Sequence, residues 1–233
     1  MDSLKKLYRI GVGPSSSHTM APRRAAEIFL QRHPEAQQYR VILFASLAAT
    51  GKGHLTDKAL EEVFFQRSLE VLWRQKEELP LHPNGMRFEA LDDDGQTIDS
   101  WDVYSIGGGA LLEKTEGFKN RSLYPLTAMD AVLNECRMSG RTYWQYVETC
   151  EGPEIWDFLA LVWETMKNAL ERGLVTEGML PGHLKISRKA KSLHAKAKKQ
   201  TADLTRDGLL ASYAYAVSEE NASKGTIVTA PTC

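Results

Sequence analysis

GFKNRSL, residues 117–123, is polar and carries no hydrophobic period, and it separates two kinds of sequence. Upstream, apolar residues form short continuous or alternating runs. VILFAS (41–46) reads as a buried strand ending at the glycine turn Gly51-Lys52-Gly53, with a helix expected from about Asp57 to Glu70. Met86, Phe88 and Ala90 alternate with Arg87 and Glu89, Asp92-Asp93-Asp94-Gly95 supplies a turn, and a second extended run reaches Tyr104 and Ile106. That pattern predicts a hairpin, interrupted by Gly107, Gly108 and Gly109. Near the start, Ala21–Gln31 suits a helix, with Ala25, Ile28 and Phe29 on one face.

Downstream the period changes to that of helices. From about Tyr124 one helical pattern follows another, with Gly140, Gly173 and Gly178 as expected stops. The clearest runs from Pro153 to Arg172, where Ile155, Phe158, Leu159, Val162, Trp163, Met166, Ala169 and Leu170 keep the i, i+3, i+4, i+7 spacing that packs on other helices. The chain therefore reads as α+β, an α/β first half followed by an all-helical second half. Its final run, KGTIVTAPTC, is extended and ends at Cys233 with nothing to pair or cap it, so a longer protein, with the helical part incomplete here, is expected.

Composition narrows the function classes. The 233 residues are 42% apolar and 25% charged, enough for a real core. A net charge of −1 gives no global attraction to nucleic acid or anionic membranes. The basic stretch RKAKSLHAKAKK (188–199) has no aromatic residue for base stacking and reads as a solvated helix face. No apolar run reaches the roughly 20 residues of a membrane span, and MDSLKKLYRIG has no signal-peptide core, so a cytoplasmic protein without membrane or nucleic-acid partners is expected. Three cysteines without a CxxC pair exclude a disulfide framework, and Cys136 and Cys150 fall on helical patterns as buried or half-buried thiols.

The chemistry concentrates in GVGPSSSHTM (11–20). Capping the following helix needs one serine, whereas Ser15, Ser16, Ser17, His18 and Thr19 gather several hydroxyls and an imidazole where free N–H groups favour a small carboxylate or phosphate. A second candidate is ATGKGHLTDK (49–58), where two glycines let the backbone approach a ligand and His54 offers an imidazole, the side-chain type suited to proton transfer. It is not a nucleotide-binding phosphate loop, because Ser46 stands where the first glycine of GxxxxGK[ST] belongs and no hydroxyl follows the lysine. Gly11-Val12-Gly13-Pro14 likewise lacks the third glycine of a dinucleotide fingerprint.

Taken in order, YRIGVGPSSSHTMAPRRAA, SLAATGKGHLTDKA, HPNGMRFEA, VYSIGGGAL and SEENASKGTIVTAPTC resemble the iron-sulfur-dependent L-serine dehydratases, over essentially the whole chain. The resemblance implies a β-type domain with a small mixed sheet over residues 1–118, then part of a helical, cluster-bearing α-type domain over residues 119–233. It implies conversion of L-serine to pyruvate and ammonia by a homodimer holding a [4Fe-4S] cluster, with Cys233 of the APTC motif as a ligand and further ligands outside this chain. His18 and His54 become the acid-base candidates, with the Ser17 hydroxyl as an alternative, and Ser15, Ser16, Ser17 and Thr19 the residues that hold the amino acid. Ala21, where the family has glycine, and His183, where it has a small residue, depart from the pattern. A regulatory amino-acid-binding module without catalysis is the competing expectation.

Overall fold

The computed structural model describes residues 1–113, 122–182 and 184–229. In chain order the elements are α1 (Leu4–Leu7), β1 (Arg9–Val12), a π-helical turn (Ser16–Met20), α2 (Ala21–Arg32), β2 (Gln38–Phe44), α3 (Ala45–Thr50), α4 (Thr56–Val63), β3 (Ser68–Arg74), β4 (Gly85–Leu91), β5 (Thr97–Ser105) and β6 (Leu111–Glu113). There follow α5 (Met129–Ser139), α6 (Tyr143–Glu151), α7 (Ile155–Val175), α8 (Ala190–Ala197), α9 (Ala202–Ala222) and β7 (Thr226–Thr229).

The first half is built on a five-stranded sheet of order β3-β2-β4-β5-β6, in which β2 and β3 run parallel and every other pair antiparallel. It is the small mixed sheet that the resemblance implies. Alternation along the strands sends Val41, Leu43, Phe88 and Val103 into a core with Ala25, Ala26 and Phe29 of α2 and Leu60 of α4. The other face carries cross-strand ion pairs. Arg40 lies opposite Glu70 on one side and Glu89 on the other, at 2.6 and 3.1 Å, and Arg87 lies opposite Asp102 at 2.6 Å.

Three sequence expectations change. The helix expected over about 57–70 stops at Val63, because SLEVLWR alternates and sends Leu69, Val71 and Trp73 onto the core, forming the parallel strand β3. Gly173 is no stop: it lies inside α7, where any Cβ would collide with the Ala216 backbone of α9, so it permits close helix approach. Gly140 does end α5, in the left-handed region at φ 67°. Finally, the run TIVT does find a partner, since β7 pairs antiparallel with β1, placing Thr226 opposite Val12 and Thr229 opposite Arg9.

That pairing joins the last described residues to the strand feeding the serine-histidine loop, across the expected boundary near residue 118. Elsewhere the helical half is held by buried carboxylates. Glu151, 8% exposed, accepts from Ser3 Oγ (2.6 Å), Leu4 N (2.7 Å) and Tyr124 Oη (2.7 Å), tying α1 to the end of α6. Among the described residues no helix is long and apolar enough to cross a membrane.

Candidate functional site

The serine-rich stretch folds as the sequence suggested, as the opening of a helix, but with a wider first turn. The π-helical turn Ser16–Met20 runs straight into α2, and Ser15 caps it, its Oγ accepting from His18 N at 3.1 Å. Ser15 Oγ and Ser17 Oγ lie 3.4 Å apart. Ser15, Ser16, Ser17 and His18 are half-buried, whereas Thr19 is 1% exposed.

His18 is the centre of the arrangement. Its Nδ1 is 2.8 Å from Ser17 Oγ and its Nε2 is 3.3 Å from Ser46 Oγ, so a serine hydroxyl faces each ring nitrogen. The His54 ring lies 4.7 Å away, centroid to centroid, tilted by 35°. Because Thr50 O can only accept, the 3.1 Å contact places the His54 proton on Nδ1 and leaves Nε2 as the acceptor in the neutral ring. Burial lowers the His18 pKa below the ordinary histidine value, with the His54 charge acting in the same direction and the contact to Ser46 opposing both. A neutral imidazole at neutral pH is the consequence, and that is the form able to take a proton.

Two threonines strap the histidine-bearing segments together. Thr19 Oγ1 accepts from Ser15 N (3.2 Å) and donates to His54 O (2.7 Å), while Thr56 Oγ1 donates to His18 O. Each histidine segment is thus held by a hydroxyl from the other. Ala45 and Leu55, beside Ser46 and His54, occupy the left-handed region at φ 39° and 58°. Such backbone is costly for non-glycine residues and is kept where the surroundings over-determine it.

The triglycine turn borders the same loop. Gly107, Gly108 and Gly109 all have positive φ, Arg9 Nη1 donates to Gly108 O, and a Cβ on Gly109 would stand 3.7 Å from Ser16 O. On the far side, Asn221 Nδ2 donates to Pro14 O at 3.1 Å. The sequence did not assign roles to Ser46, Thr56, Arg9 or Asn221. The placement of Asn221 within SEENAS and of Ser46 at the start of SLAATGKGH was the available signal, but neither type nor spacing says which loop each would meet.

The expected site residues divide as follows. His18, His54, Ser15 and Ser17 come together in one half-buried cluster, Ser16 opens the turn that carries them, and Thr19 lies beneath with its hydroxyl engaged by backbone. Cys233 and His183 lie outside the described residues. Among the described residues no three His, Cys, Asp or Glu side chains gather as a metal site. Cys136 and Cys150 pack instead with Tyr124, Val132 and Tyr146. The described residues therefore do not fit a [4Fe-4S] cluster, which needs several converging thiolates.

Comparison with known proteins gives a consistent result. Residues 3–62 and 60–116 match the family model for the serine dehydratase beta chain. L-serine dehydratase of Streptomyces coelicolor is 30% identical over 99% of this chain and 62% of its own length. L-serine dehydratase 2 of Escherichia coli is 31% identical over 100% of this chain and 63% of its own length. L-serine dehydratase of Mycobacterium tuberculosis is 31% identical over 99% of this chain and 61% of its own length. The chain thus spans a little over three fifths of these relatives.

Proposed function

We propose, from the premise that this chain belongs to the serine dehydratase family, that it binds L-serine at the serine-histidine loop and takes part in its dehydration to pyruvate and ammonia. The observation that supports this reading best is the half-buried His18 imidazole, set between two serine hydroxyls and against the His54 ring. In this reading the opening amides of the helix at Ser16 and the hydroxyls of Ser15, Ser16 and Ser17 receive the substrate carboxylate and amine, because such amides have no partner within the helix. Thr19 and Thr56 hold the two histidine segments in register.

His18 takes the α-proton of serine, and Ser17 or Ser46 yields its hydrogen bond to the ring as substrate enters. The β-hydroxyl departs as it takes up the proton held by His18, directly or by way of His54, which gives 2-aminoacrylate and water. Aminoacrylate tautomerises to the imine, which a second water hydrolyses to pyruvate and ammonia. His54, with its Nε2 as acceptor when neutral and a donor when protonated, is the partner that accepts or returns a proton beside His18.

The [4Fe-4S] cluster, with Cys233 as one ligand, belongs to this proposal only through the APTC motif and the resemblance. The homodimeric state rests on the resemblance in the same way, and the cytoplasmic location is proposed from the sequence pattern alone. The test is anaerobic treatment of the protein with ferrous iron and sulfide, followed by coupled assay of pyruvate from L-serine. Pyruvate and ammonia should appear in equal amounts and be lost in His18→Asn. Serine binding by calorimetry without any pyruvate would favour the non-catalytic binding module, and absence of both would end the proposal.

A further inference from the structure

Among the described residues, one side-chain hydrogen bond from the helical half reaches the serine-histidine loop, and the surroundings of the residue that makes it hold that residue still. Asn221 stands in the last turn of α9, with its Nδ2 donating to Pro14 O, one residue before the capping Ser15. The approach is close: a Cβ on Gly13 would collide with both the backbone and the side-chain oxygen of Asn221. Only glycine at position 13 leaves room for this contact. A displacement of Asn221 therefore passes through Pro14 to Ser15, and through Ser15 Oγ to His18 N.

The residues on either side of Asn221 fix the end of α9 from several directions. Glu220, 5% exposed, receives Arg172 Nε of α7 at 2.9 Å and Arg188 Nη1 at 3.0 Å. Glu219, 4% exposed, receives Lys189 N at 2.6 Å and Ala190 N at 3.3 Å, at the start of α8. Lys224 pairs at 3.0 Å with Glu62 of α4, which also holds Arg23 of α2 at 2.7 Å. Buried and partly buried charges that are hydrogen-bonded on several sides give a rigid mount, since loosening one strands the others.

We infer that Asn221 is a positioning residue for the His18 site, by which the packing of α7, α8 and α9 sets the register of the serine-histidine loop. The inference rests on the proposed function only for its consequence in catalysis, not for the contact itself. It goes beyond the histidine and serine roles because it assigns control of those groups to a residue roughly two hundred positions away in sequence.

The experiment uses the full chain with its histidines isotopically labelled, and follows the ring shifts of His18, His54 and His33 in wild type, Asn221→Ala, Gly13→Ala and Glu219→Gln. Asn221→Ala removes the donor, and Gly13→Ala displaces Asn221 from the opposite side, so failure of one variant to fold leaves the other. Both should move the His18 and His54 resonances while leaving His33, which sits 2.9 Å from Asp99 at the end of α2, unchanged. Glu219→Gln loosens the mount of the same helix end and should shift the His18 and His54 resonances in the same sense by less, again leaving His33 in place. In preparations that form pyruvate, Asn221→Ala should lower kcat about a hundredfold with KM little changed, as for a slightly misplaced base. Unmoved His18 resonances in both Asn221→Ala and Gly13→Ala overturn the inference, and unmoved His18 resonances in a folded Glu219→Gln overturn the part assigned to the packing of α8 and α9. If wild type forms no pyruvate, the dehydratase reading fails while the ring shifts still decide the positioning role.

Discussion

Replacing Thr56 by valine tests the strapping of the two histidine segments directly. Thr56 is fully buried at the start of α4, and its hydroxyl donates to His18 O, so valine keeps the shape and removes only the donor. The cost has two parts: the bond itself, and an acceptor left in a partly buried position. Together these amount to about 1–3 kcal/mol. Thr56→Ser is the contrasting change, because it keeps the hydroxyl and loses one methyl, at about 0.5–1.5 kcal/mol. Urea denaturation of the two variants, with stability taken from midpoint and slope, should place valine below serine. Thr19→Val removes the reciprocal strap to His54 O, and the double variant completes a cycle. Because both hydroxyls hold the same pair of segments, the two losses should not add, with a coupling of about 0.5–3 kcal/mol. Valine at 56 as stable as wild type, or strictly additive losses, would refute the claim that these hydroxyls lock His18 and His54 together.

Two pH dependences follow from the groups that the fold perturbs. At Glu151 burial acts to raise the pKa, but the bonds from Ser3, Tyr124 and Leu4 outweigh it and the net shift is downward. A carboxylate whose folded pKa is lowered binds fewer protons than in the unfolded chain, so its stabilisation is present above the ordinary carboxylate pKa and is lost as pH falls through the folded value. Thermal melts from pH 7 to pH 3 should show that acid-dependent loss in wild type and a flatter profile in Glu151→Gln. At His18 the lowered pKa has the corresponding sign for a base: the folded protein resists protonation, and stability tied to the neutral ring falls as pH drops below the ordinary histidine value toward the folded one. Histidine titration by nuclear magnetic resonance should place His18 below a histidine in an unfolded peptide, and His54→Gln, which removes the neighbouring charge, should bring it part of the way back.

Some of this was legible because it is local. The alternation of Met86, Phe88 and Ala90 fixes which side of β4 faces the core, and the helical spacing from Ile155 to Leu170 requires a helix that packs on others; both are properties of a dozen residues and survive without knowledge of the rest. The gathering of hydroxyls and an imidazole in residues 15–19 was equally visible, since a helix opening needs only one cap. The β3 strand was harder. SLEVLWR follows a helix closely, and its alternation becomes decisive only when a parallel neighbour in β2 is there to pair with it.

What the amino-acid order determined by itself, then, was the change of period near residue 118 and the chemical character of the loop at 13–20. Tertiary structure alone decided that Ser46 would face His18, that His54 would lie against the same ring, and that Asn221 would grip Pro14. It also decided that Gly173 would admit a neighbouring helix rather than end its own, and that β7 would return to β1. The physical reason is range. Periodicity and capping are set by backbone sterics and hydrogen bonds within a few residues, whereas the partner of a polar side chain is fixed only when burial has brought distant segments together and each donor must find an acceptor there.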